Sequence, residues 1–275
     1  MINNLHTTIF KNASKTYYYS SLFFPKDVRD DIFILYGFVR TADDLVDSIP
    51  QQVEKYNLFV ERFRKGYSGD NEDDIVISSF IEMMKRRKIS LAWVESFLEA
   101  MKSDIHKSKY QTIKELENYI YGSAGVIGLM MAKILKLPEE SYTYAQMLGS
   151  SMQLSNFIRD LQEDNELGRC YFPQTDLKKF NLKSLKFSEV TKKKNEFRLF
   201  MDFQIERYFN WQNIAENGFK YIPKRYRIAI KTASDMYKKT QLIISKNPAI
   251  VFKRKVKPSP FSILLQGVKN SFSNE

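Results

Sequence analysis

Two short stretches of this sequence carry acidic and amide side chains at the spacing of a helix. In the first, YGFVRTADDLVD, the polar stripe consists of Tyr36, Arg40, Asp43 and Asp47, with Asp44 beside them. On a helix these positions share one face. Carboxylates one turn apart repel each other unless a cation lies between them, and Mg²⁺ prefers such hard oxygen ligands. The stripe therefore predicts a divalent-metal site, with a solvated acidic surface as the alternative.

The second stretch, QLSNFIRDLQEDNELGRCYFP, repeats this pattern. Its polar stripe consists of Gln153, Asn156, Asp160 and Asp164, with Glu163 beside the last residue. The intervening apolar residues are available for the core, namely Leu154, Phe157, Ile158 and Leu161. A helix with one apolar face and one face of carboxylates and amides is typical of a cavity wall. Two matched stripes favour a functional site over a surface pattern.

The chemistry that suits such stripes best is the binding of a diphosphate through Mg²⁺, with Mn²⁺ as an alternative. The chain has one cysteine, Cys170, which excludes a cysteine-based metal site or a disulfide within the chain. Its two histidines, His6 and His106, are far apart, which disfavours a histidine-rich site. Bound Mg²⁺ neutralises a diphosphate as it leaves, so that an allylic C–O bond ionises.

The rest of the chain is expected to hold these stripes in one all-α domain. Of the 275 residues 43% are hydrophobic, apolar residues recur every three or four positions, and the prolines fall between these periodic segments. The predicted helices cover residues 26–48, 52–66, 73–87, 90–107, 112–135, 139–165, 187–218 and 224–246. Residues 174–186 are predicted to form a loop. A single domain over residues 1–275 is expected, with a loosely packed basic tail from about residue 248.

Four segments, including both stripes, resemble motifs of the squalene/phytoene synthase family, the head-to-head prenyl synthases. DDLVD at 43–47 resembles the family's first aspartate-rich motif, and NFIRDLQEDNELGRCYFP at 156–173 resembles the second. SKTYYYSSLFFP at 14–25 and YIYGSAGVIGLMM at 119–131 resemble its N-terminal segment and its central tyrosine–glycine helix. The details look closer to the bacterial and archaeal phytoene synthases. The resemblance implies an isoprenoid-synthase helical bundle with a central active-site cavity.

The resemblance also implies roles for individual residues. The metal ligands would be Asp43, Asp44 and Asp47 on one side of the cavity, and Asn156, Asp160, Glu163 and Asp164 on the other. Contacts to the substrate diphosphates would come from Lys15, Thr16, Arg40, Gln153, Arg159 and Tyr237. The catalytic set would comprise Tyr36 and Tyr121 at the reaction centre, together with Arg40, Asp43, Asp47, Asp160 and Asp164. Arg169 and Tyr171 would close the second motif structurally.

The reaction implied by the resemblance has two steps. One allylic diphosphate ionises, and the double bond of a second molecule attacks its cation to give a cyclopropylcarbinyl diphosphate. This intermediate ionises again and rearranges to a 1′–1 linked chain. Two molecules of geranylgeranyl diphosphate would give phytoene and two diphosphates. Squalene or dehydrosqualene from farnesyl diphosphate is the alternative, and only squalene would require NADPH.

Two other classes of function compete with the enzyme. A catalytically inactive helical assembly factor would be expected to have lost the metal ligands, yet both acidic motifs are complete. A nucleic-acid-binding protein would explain the net charge of +11 but not the acidic stripes, which repel phosphate when no metal intervenes. Prenyl diphosphates are therefore the expected partners, and nucleic acid is not. The sequence leaves the oligomeric state open.

The basic tail suggests one further partner, an anionic membrane surface. Lys253, Arg254, Lys255 and Lys257 precede an apolar segment at 261–265. An ordinary terminal helix packed on the domain is the alternative. The N-terminus lacks the pattern of a signal peptide, and no apolar stretch is long enough to span a bilayer. The protein is therefore expected to be cytoplasmic, with peripheral contact to a membrane from one side left open.

Overall fold

The computed structural model describes residues 4–272, which fold almost entirely into helices. Within this range there is no β-strand, and Lys109 and Cys170 form only an isolated bridge. The α-helices are α1 (Asn4–Ala13), α2 (Lys15–Ser21), α3 (Lys26–Asp47), α4 (Val53–Ser68), α5 (Ile75–Arg87), α6 (Leu91–Ser103), α7 (Ile113–Ile120), α8 (Val126–Ile134), α9 (Tyr142–Arg159), α10 (Leu161–Glu166), α11 (Gln174–Lys179), α12 (Phe187–Val190), α13 (Lys194–Glu216), α14 (Lys224–Lys246) and α15 (Pro260–Phe272). A π-helical turn, Tyr121–Gly125, joins α7 to α8. The predicted all-α class is confirmed. Residues 1–3 and 273–275 of the predicted domain span lie outside the described residues.

Apolar periodicity located most helices to within a few residues. The prediction for 224–246 coincides with α14, and those for 26–48 and 73–87 match α3 and α5. Other predictions were wrong in detail. The predicted helix 112–135 contains the π-helical turn, 139–165 is broken at Asp160, and 187–218 is divided into α12 and α13. The predicted loop at 174–186 contains α11, and neither α1 nor α2 was predicted.

Helices α8 and α9 are in backbone contact and form one wall of the molecule's central cavity. A Cβ atom on Gly128 would lie 2.0 Å from the carbonyl oxygen of Ala145. A Cβ atom on Gly149 would lie 2.3 Å from the carbonyl oxygen of Ala124, in the π-helical turn that precedes α8. No side chain fits at either position, so the two glycines allow this close approach. The spacing of the two helices is therefore fixed by the backbone.

The C-terminal segment is packed on the domain, and the expectation of a loose tail was wrong. Helix α15 lies against α2 and α14. It buries Ile263, Gly267 and Asn270, and the ring of Phe23 packs directly over Gly267. The Asn270 side-chain amide donates a hydrogen bond of 2.9 Å to Asp235 on α14. None of the helices described is long and apolar enough to cross a membrane.

Candidate active site

The first acidic stripe lies on the C-terminal half of α3, at the mouth of the central cavity. The opposite face of this helix is anchored in the core, where Phe38 and Val46 are buried. The side chains of the stripe that line the cavity are Tyr36, Arg40 and Asp43. The amphipathic pattern that predicted the helix therefore also orients the polar stripe toward the cavity.

Arg40 is paired with both carboxylates of the following turn. Its Nη1 lies 2.7 Å from a carboxylate oxygen of Asp43, and its Nη2 forms an ion pair with Asp44. Burial, together with the charge of Asp47, raises the pKa of Asp43 to about 7, although Arg40 opposes this shift. Negative charge is thus concentrated at the end of α3 beyond what Arg40 neutralises.

The second stripe is interrupted at Asp160, where α9 ends and α10 begins, so it does not lie on one continuous helix. Its first half, Gln153 and Asn156, lines the same cavity as Asp43. The Asn156 amide nitrogen lies 3.3 Å from the side-chain oxygen of Gln153, to which it donates a hydrogen bond. The apolar residues between the polar positions are buried, as predicted: Leu154, Phe157, Ile158 and Leu161.

Asp160 is held between two cations that come from different parts of the chain. Arg159 donates two hydrogen bonds to it, of 2.7 and 2.5 Å. The Nζ of Lys255 lies 3.1 Å from the Asp160 carboxylate and also forms an ion pair with Glu163. Burial acts to raise the pKa of Asp160, but the hydrogen bonds and charge of Arg159, with Lys255, outweigh it and hold that pKa below its ordinary value.

Arg169 joins the two acidic motifs. Its buried guanidinium pairs with Asp47 at the end of α3 and donates hydrogen bonds to the carbonyl oxygens of Val46, at 2.8 Å, and Asp104, at 3.2 Å. Its backbone N–H donates to the carbonyl oxygen of Asp164 at 2.8 Å. One residue therefore fixes the end of the first motif against the turn that closes the second, which agrees with the structural role expected of it.

Asp164 is partly buried at the place where the two motifs meet. Burial raises its pKa well above the ordinary value, and the charges of Asp160 and then Asp47 raise it further. Because Asp160 belongs to the second motif and Asp47 to the first, both motifs contribute to one electrostatic centre. This centre is where an additional cation would be most strongly stabilised.

Two buried tyrosines bind the side chain of Asp104, whose carbonyl oxygen contacts Arg169. The hydroxyl groups of Tyr119 and Tyr171 donate hydrogen bonds of 2.5 and 3.2 Å to the Asp104 carboxylate. The Tyr171 ring stacks on Phe157, with the ring centroids 4.1 Å apart. Burial raises the pKa of Asp104 to about 6, against the opposing hydrogen bonds from the tyrosines and the charge of Arg169.

The substrate-binding residues predicted outside the acidic motifs surround the same region. Tyr237 is buried on α14, next to Tyr17, Arg159 and Asn156. Burial raises the pKa of Tyr237, so its hydroxyl is neutral over the physiological pH range. The structure thus brings a phenol of α14 beside an arginine of α9.

The remaining residues that were predicted for the site lie on α2 and on the π-helical turn. Lys15 and Thr16 open α2 directly after Ser14, which lies beside Tyr36, and this places them near the polar mouth. Tyr121 begins the π-helical turn but is not among the described residues that line the cavity. The wall is formed there by Ser123 of the same turn, and the role of Tyr121 at the reaction centre stays a prediction.

The oxygen donors of the mouth fit a divalent cation that is shared with a ligand. Among residues 4–272, no group of three or more Asp, Glu, His or Cys side chains is arranged to hold a metal by itself. However, the buried side-chain oxygen of Asn156 has no hydrogen-bond partner within that range. An unpaired buried acceptor in a cavity that Asp43 also lines suits Mg²⁺, which retains water and ligand oxygens in its coordination shell.

Beyond the mouth the cavity becomes largely apolar. It encloses about 340 Å³. Many of its lining residues are small or aliphatic, including Ala124, Gly128, Met131, Ala132, Leu135, Ala145, Leu148, Gly149, Ala229 and Ala233. A charged mouth above an apolar interior suits a ligand with an anionic head and a hydrocarbon chain.

Comparison with known proteins identifies the family. The family model described as "Squalene/phytoene synthase" matches residues 10–262. The chain belongs to the squalene/phytoene synthase family. This confirms the family predicted from the motifs, and the protein is accordingly a prenyltransferase that joins prenyl diphosphates head to head.

Two relatives and one solved structure are similar to this synthase over most of its length. It is 26% identical to the 15-cis-phytoene synthase of Synechococcus elongatus, over 88% of this chain and 83% of that protein. It is 27% identical to the 4,4'-diapophytoene synthase of Staphylococcus haemolyticus, over 84% of this chain and 82% of that protein. Its fold matches a crystal structure of a dehydrosqualene synthase in complex with ligand, with a TM-score of 0.86 and 24% identity over 96% and 93% of the two chains.

Two residues that contact the acidic motifs of the synthase were not predicted as site residues. Lys255 was interpreted as part of a basic tail that could bind a membrane or pack on the domain. A basic cluster beside an apolar segment gives no sign that one of its lysines contacts Glu163, 92 residues earlier in the chain. Asp104 follows the last residue of α6 and lies outside both acidic motifs. No spacing in the sequence marks it, and only tertiary packing brings it beneath Arg169.

Proposed function

We propose that this synthase condenses two molecules of geranylgeranyl diphosphate head to head, through a cyclopropylcarbinyl diphosphate, into phytoene. One observation carries the proposal: a single cavity has residues of both acidic motifs at its mouth, among them Asp43 and Asn156, and mainly small and aliphatic residues farther in. The likeness to relatives named phytoene synthase supports the same assignment. The products are one C40 hydrocarbon and two diphosphates.

The mouth provides the charges needed for the first ionisation. Bound Mg²⁺ supplies positive charge that stabilises the departing diphosphate, and Asp43, Asp47, Asn156, Asp160 and Asp164 are the proposed ligands. Arg40, Arg159 and Lys255 hold the diphosphate oxygens through charge-assisted hydrogen bonds. The electron pair of the C–O bond leaves with the diphosphate, and an allylic cation remains in the cavity.

The cavity then directs the reaction of this cation with the second substrate. A double bond of the second molecule attacks the cation, and loss of one proton closes the cyclopropane ring. Tyr36 faces the cavity and stacks on Phe10 with the ring centroids 3.9 Å apart. Burial raises the pKa of Tyr36, so the ring remains neutral, and its face can stabilise nearby positive charge. A second ionisation, rearrangement and proton loss give phytoene without a reductant.

Farnesyl diphosphate is the second candidate substrate, and the similarity to a 4,4'-diapophytoene synthase favours it. The same mouth would bind its diphosphate, and the shorter chain would occupy less of the apolar interior. Dehydrosqualene would result from proton loss, and squalene would result only if NADPH supplied a hydride.

The test is to incubate the purified chain with Mg²⁺ and either geranylgeranyl or farnesyl diphosphate, with and without NADPH, and to analyse hydrocarbon extracts by mass spectrometry. The proposal predicts a C40 product without NADPH. A C30 product as the main outcome would assign farnesyl diphosphate, and its dependence on NADPH would separate squalene from dehydrosqualene. No product from either substrate, with Mg²⁺ or Mn²⁺, would favour the inactive assembly factor.

A further inference from the structure

Helix α15 has one face packed against the domain and a second, apolar face that is uncovered. Ile263 and Gly267 pack against the domain. The uncovered face is a stripe of apolar side chains at helical spacing, Phe261, Leu264, Leu265, Val268 and Phe272, which we call the α15 stripe. Phe261 and Phe272, at its two ends, are 76% and 81% exposed. A contiguous exposed apolar surface of this kind marks a binding surface rather than an isolated exposed side chain.

The chain around the α15 stripe is basic. No Asp or Glu occurs between residues 236 and 272, whereas Lys and Arg recur throughout this region. Lys253, Arg254 and Lys257 are exposed just before the helix, and Lys269 is exposed on the helix itself. An apolar helix face flanked by exposed cations complements a surface that is apolar inside and anionic at its border.

We propose that the α15 stripe docks onto an anionic lipid membrane, with α15 lying in the interface parallel to the surface. The contact is made from one side, because no helix in residues 4–272 can cross a bilayer. A second copy of this chain fits the stripe less well, because a symmetric contact would bring the two basic regions together.

The position of α15 next to helices of the cavity wall gives this docking a functional consequence. The ring of Phe23 packs on Gly267, and the next residue, Phe24, lines the cavity. Helix α14, on which α15 also rests, contributes Ala229, Ile230 and Ala233 to the cavity wall. Only one layer of helices therefore separates the cavity from the membrane. Under the proposed function, the hydrocarbon product is formed close to an apolar phase that can accept it.

Flotation with lipid vesicles tests the proposal without any need for turnover. The full chain is expected to bind vesicles of phosphatidylglycerol and phosphatidylcholine in equal parts, and to bind pure phosphatidylcholine much less. The double variant F261S/L265S is expected to bind the mixed vesicles about tenfold more weakly, because two apolar side chains no longer enter the interface. The matched control L58S/L199S removes exposed leucines from α4 and α13 and is expected to bind like the unaltered chain.

A second pair of variants tests the electrostatic part. K253Q/K269Q is expected to weaken binding to the mixed vesicles, whereas K114Q/K192Q, which removes exposed lysines elsewhere, is not. Circular dichroism establishes that each variant is folded, and sedimentation equilibrium gives its mass. Failure of the unaltered chain to bind, or equal binding by F261S/L265S, would overturn the proposal. A dimer of the unaltered chain that F261S/L265S converts to a monomer would assign the α15 stripe to a second copy instead.

Discussion

The first acidic motif lies within one helix, whereas the second is divided between two. On α3, Arg40 forms ion pairs with Asp43 and Asp44 from a position one turn earlier in the same helix. At the break between α9 and α10, Asp160 takes one cation from its neighbour Arg159 and another from Lys255, far along the chain. The first motif can therefore form with its helix, but the second is complete only after the C-terminal segment has packed.

This difference separates two ways of arranging charge around a diphosphate. A helix places carboxylates at fixed intervals, and its own arginine keeps them in register. A helix break allows side chains from distant segments to converge on one carboxylate. Arg169 couples the two arrangements, because it contacts Asp47 through its side chain and Asp164 through its backbone.

The largest effect is expected when a carboxylate of either motif is removed. Asp43→Ala and Asp160→Ala should each lower kcat/KM by at least about 1,000-fold, because charge on the leaving diphosphate would lose its stabilisation. The helical circular dichroism spectrum should be retained. Asp202→Ala, which removes an exposed carboxylate on α13, is the control. Substantial Mg²⁺-dependent activity in both variants would contradict the shared role of the two motifs.

The connection between the motifs can be broken by Arg169→Met. This change leaves Asp47 without its buried partner, and removes the donor to the carbonyl oxygens of Val46 and Asp104. The free energy of unfolding in urea should fall by about 3 kcal/mol. Arg198→Met, at an exposed ion pair, should change it by less than about 1 kcal/mol. Equal effects of the two substitutions would show that Arg169 does not fix the motifs together.

Asp104, which lies next to the first motif, should make the free energy of unfolding depend on pH. Asp104 has a pKa of about 6 in the folded chain, above its ordinary value of 3.8. The folded state therefore binds a proton that the unfolded state has released, and this group's contribution to stability falls as pH rises from about 4 to 6. Asp104→Asn keeps an oxygen for Tyr119 and Tyr171 but cannot titrate.

The measurement is the free energy of unfolding in urea at pH 4.5 and pH 6.5. Between these values the Asp104→Asn variant should lose about 1–2 kcal/mol less stability than the unaltered chain. Asp70→Asn, at an exposed carboxylate, serves as the control. An identical pH dependence in Asp104→Asn and the unaltered chain would remove Asp104 as its source.

The smallest effect should distinguish the second motif from the first. Lys255 occupies oxygens of Asp160 and Glu163, so it competes with a metal ion for the same ligands. Lys255→Gln should therefore bind Mn²⁺ about threefold more tightly in the absence of substrate, as measured by electron paramagnetic resonance of the free ion. Lys253→Gln, at an exposed neighbour, should leave the affinity unchanged. Unchanged or weaker Mn²⁺ binding by Lys255→Gln would contradict the competition.

The same two motifs indicate how far sequence reasoning reaches. The position of the first stripe followed from helical spacing alone, because Tyr36, Arg40 and Asp43 lie on one uninterrupted helix. The residues of the second stripe were predicted as one set on a single helix, and the break at Asp160 was not predicted. The cations around Asp160 include one from a distant segment, which helical spacing cannot indicate. Roles that depend on such contacts, as for Lys255 and Asp104, leave no periodic trace in the sequence.

The C-terminal tail also shows that a sequence pattern can be compatible with two structures. A basic cluster followed by apolar residues is compatible with a helix packed on the domain and with a membrane-binding segment. In the structure α15 has a buried face at Ile263 and an exposed face at Leu265. Periodicity detects apolar residues on both faces, but only the packing against α2 and α14 decides which face is covered.

The backbone contact between α8 and α9 has a consequence for how enzymes of this kind can diverge. A larger residue at Gly128 or Gly149 would push two helices apart rather than fill the cavity. Ser21 on α2 and Ala233 on α14 line another part of the wall, and each already carries a side chain there. Evolutionary change in the length of the accepted prenyl chain is therefore expected to accumulate on the α2 and α14 side, while the two glycines persist.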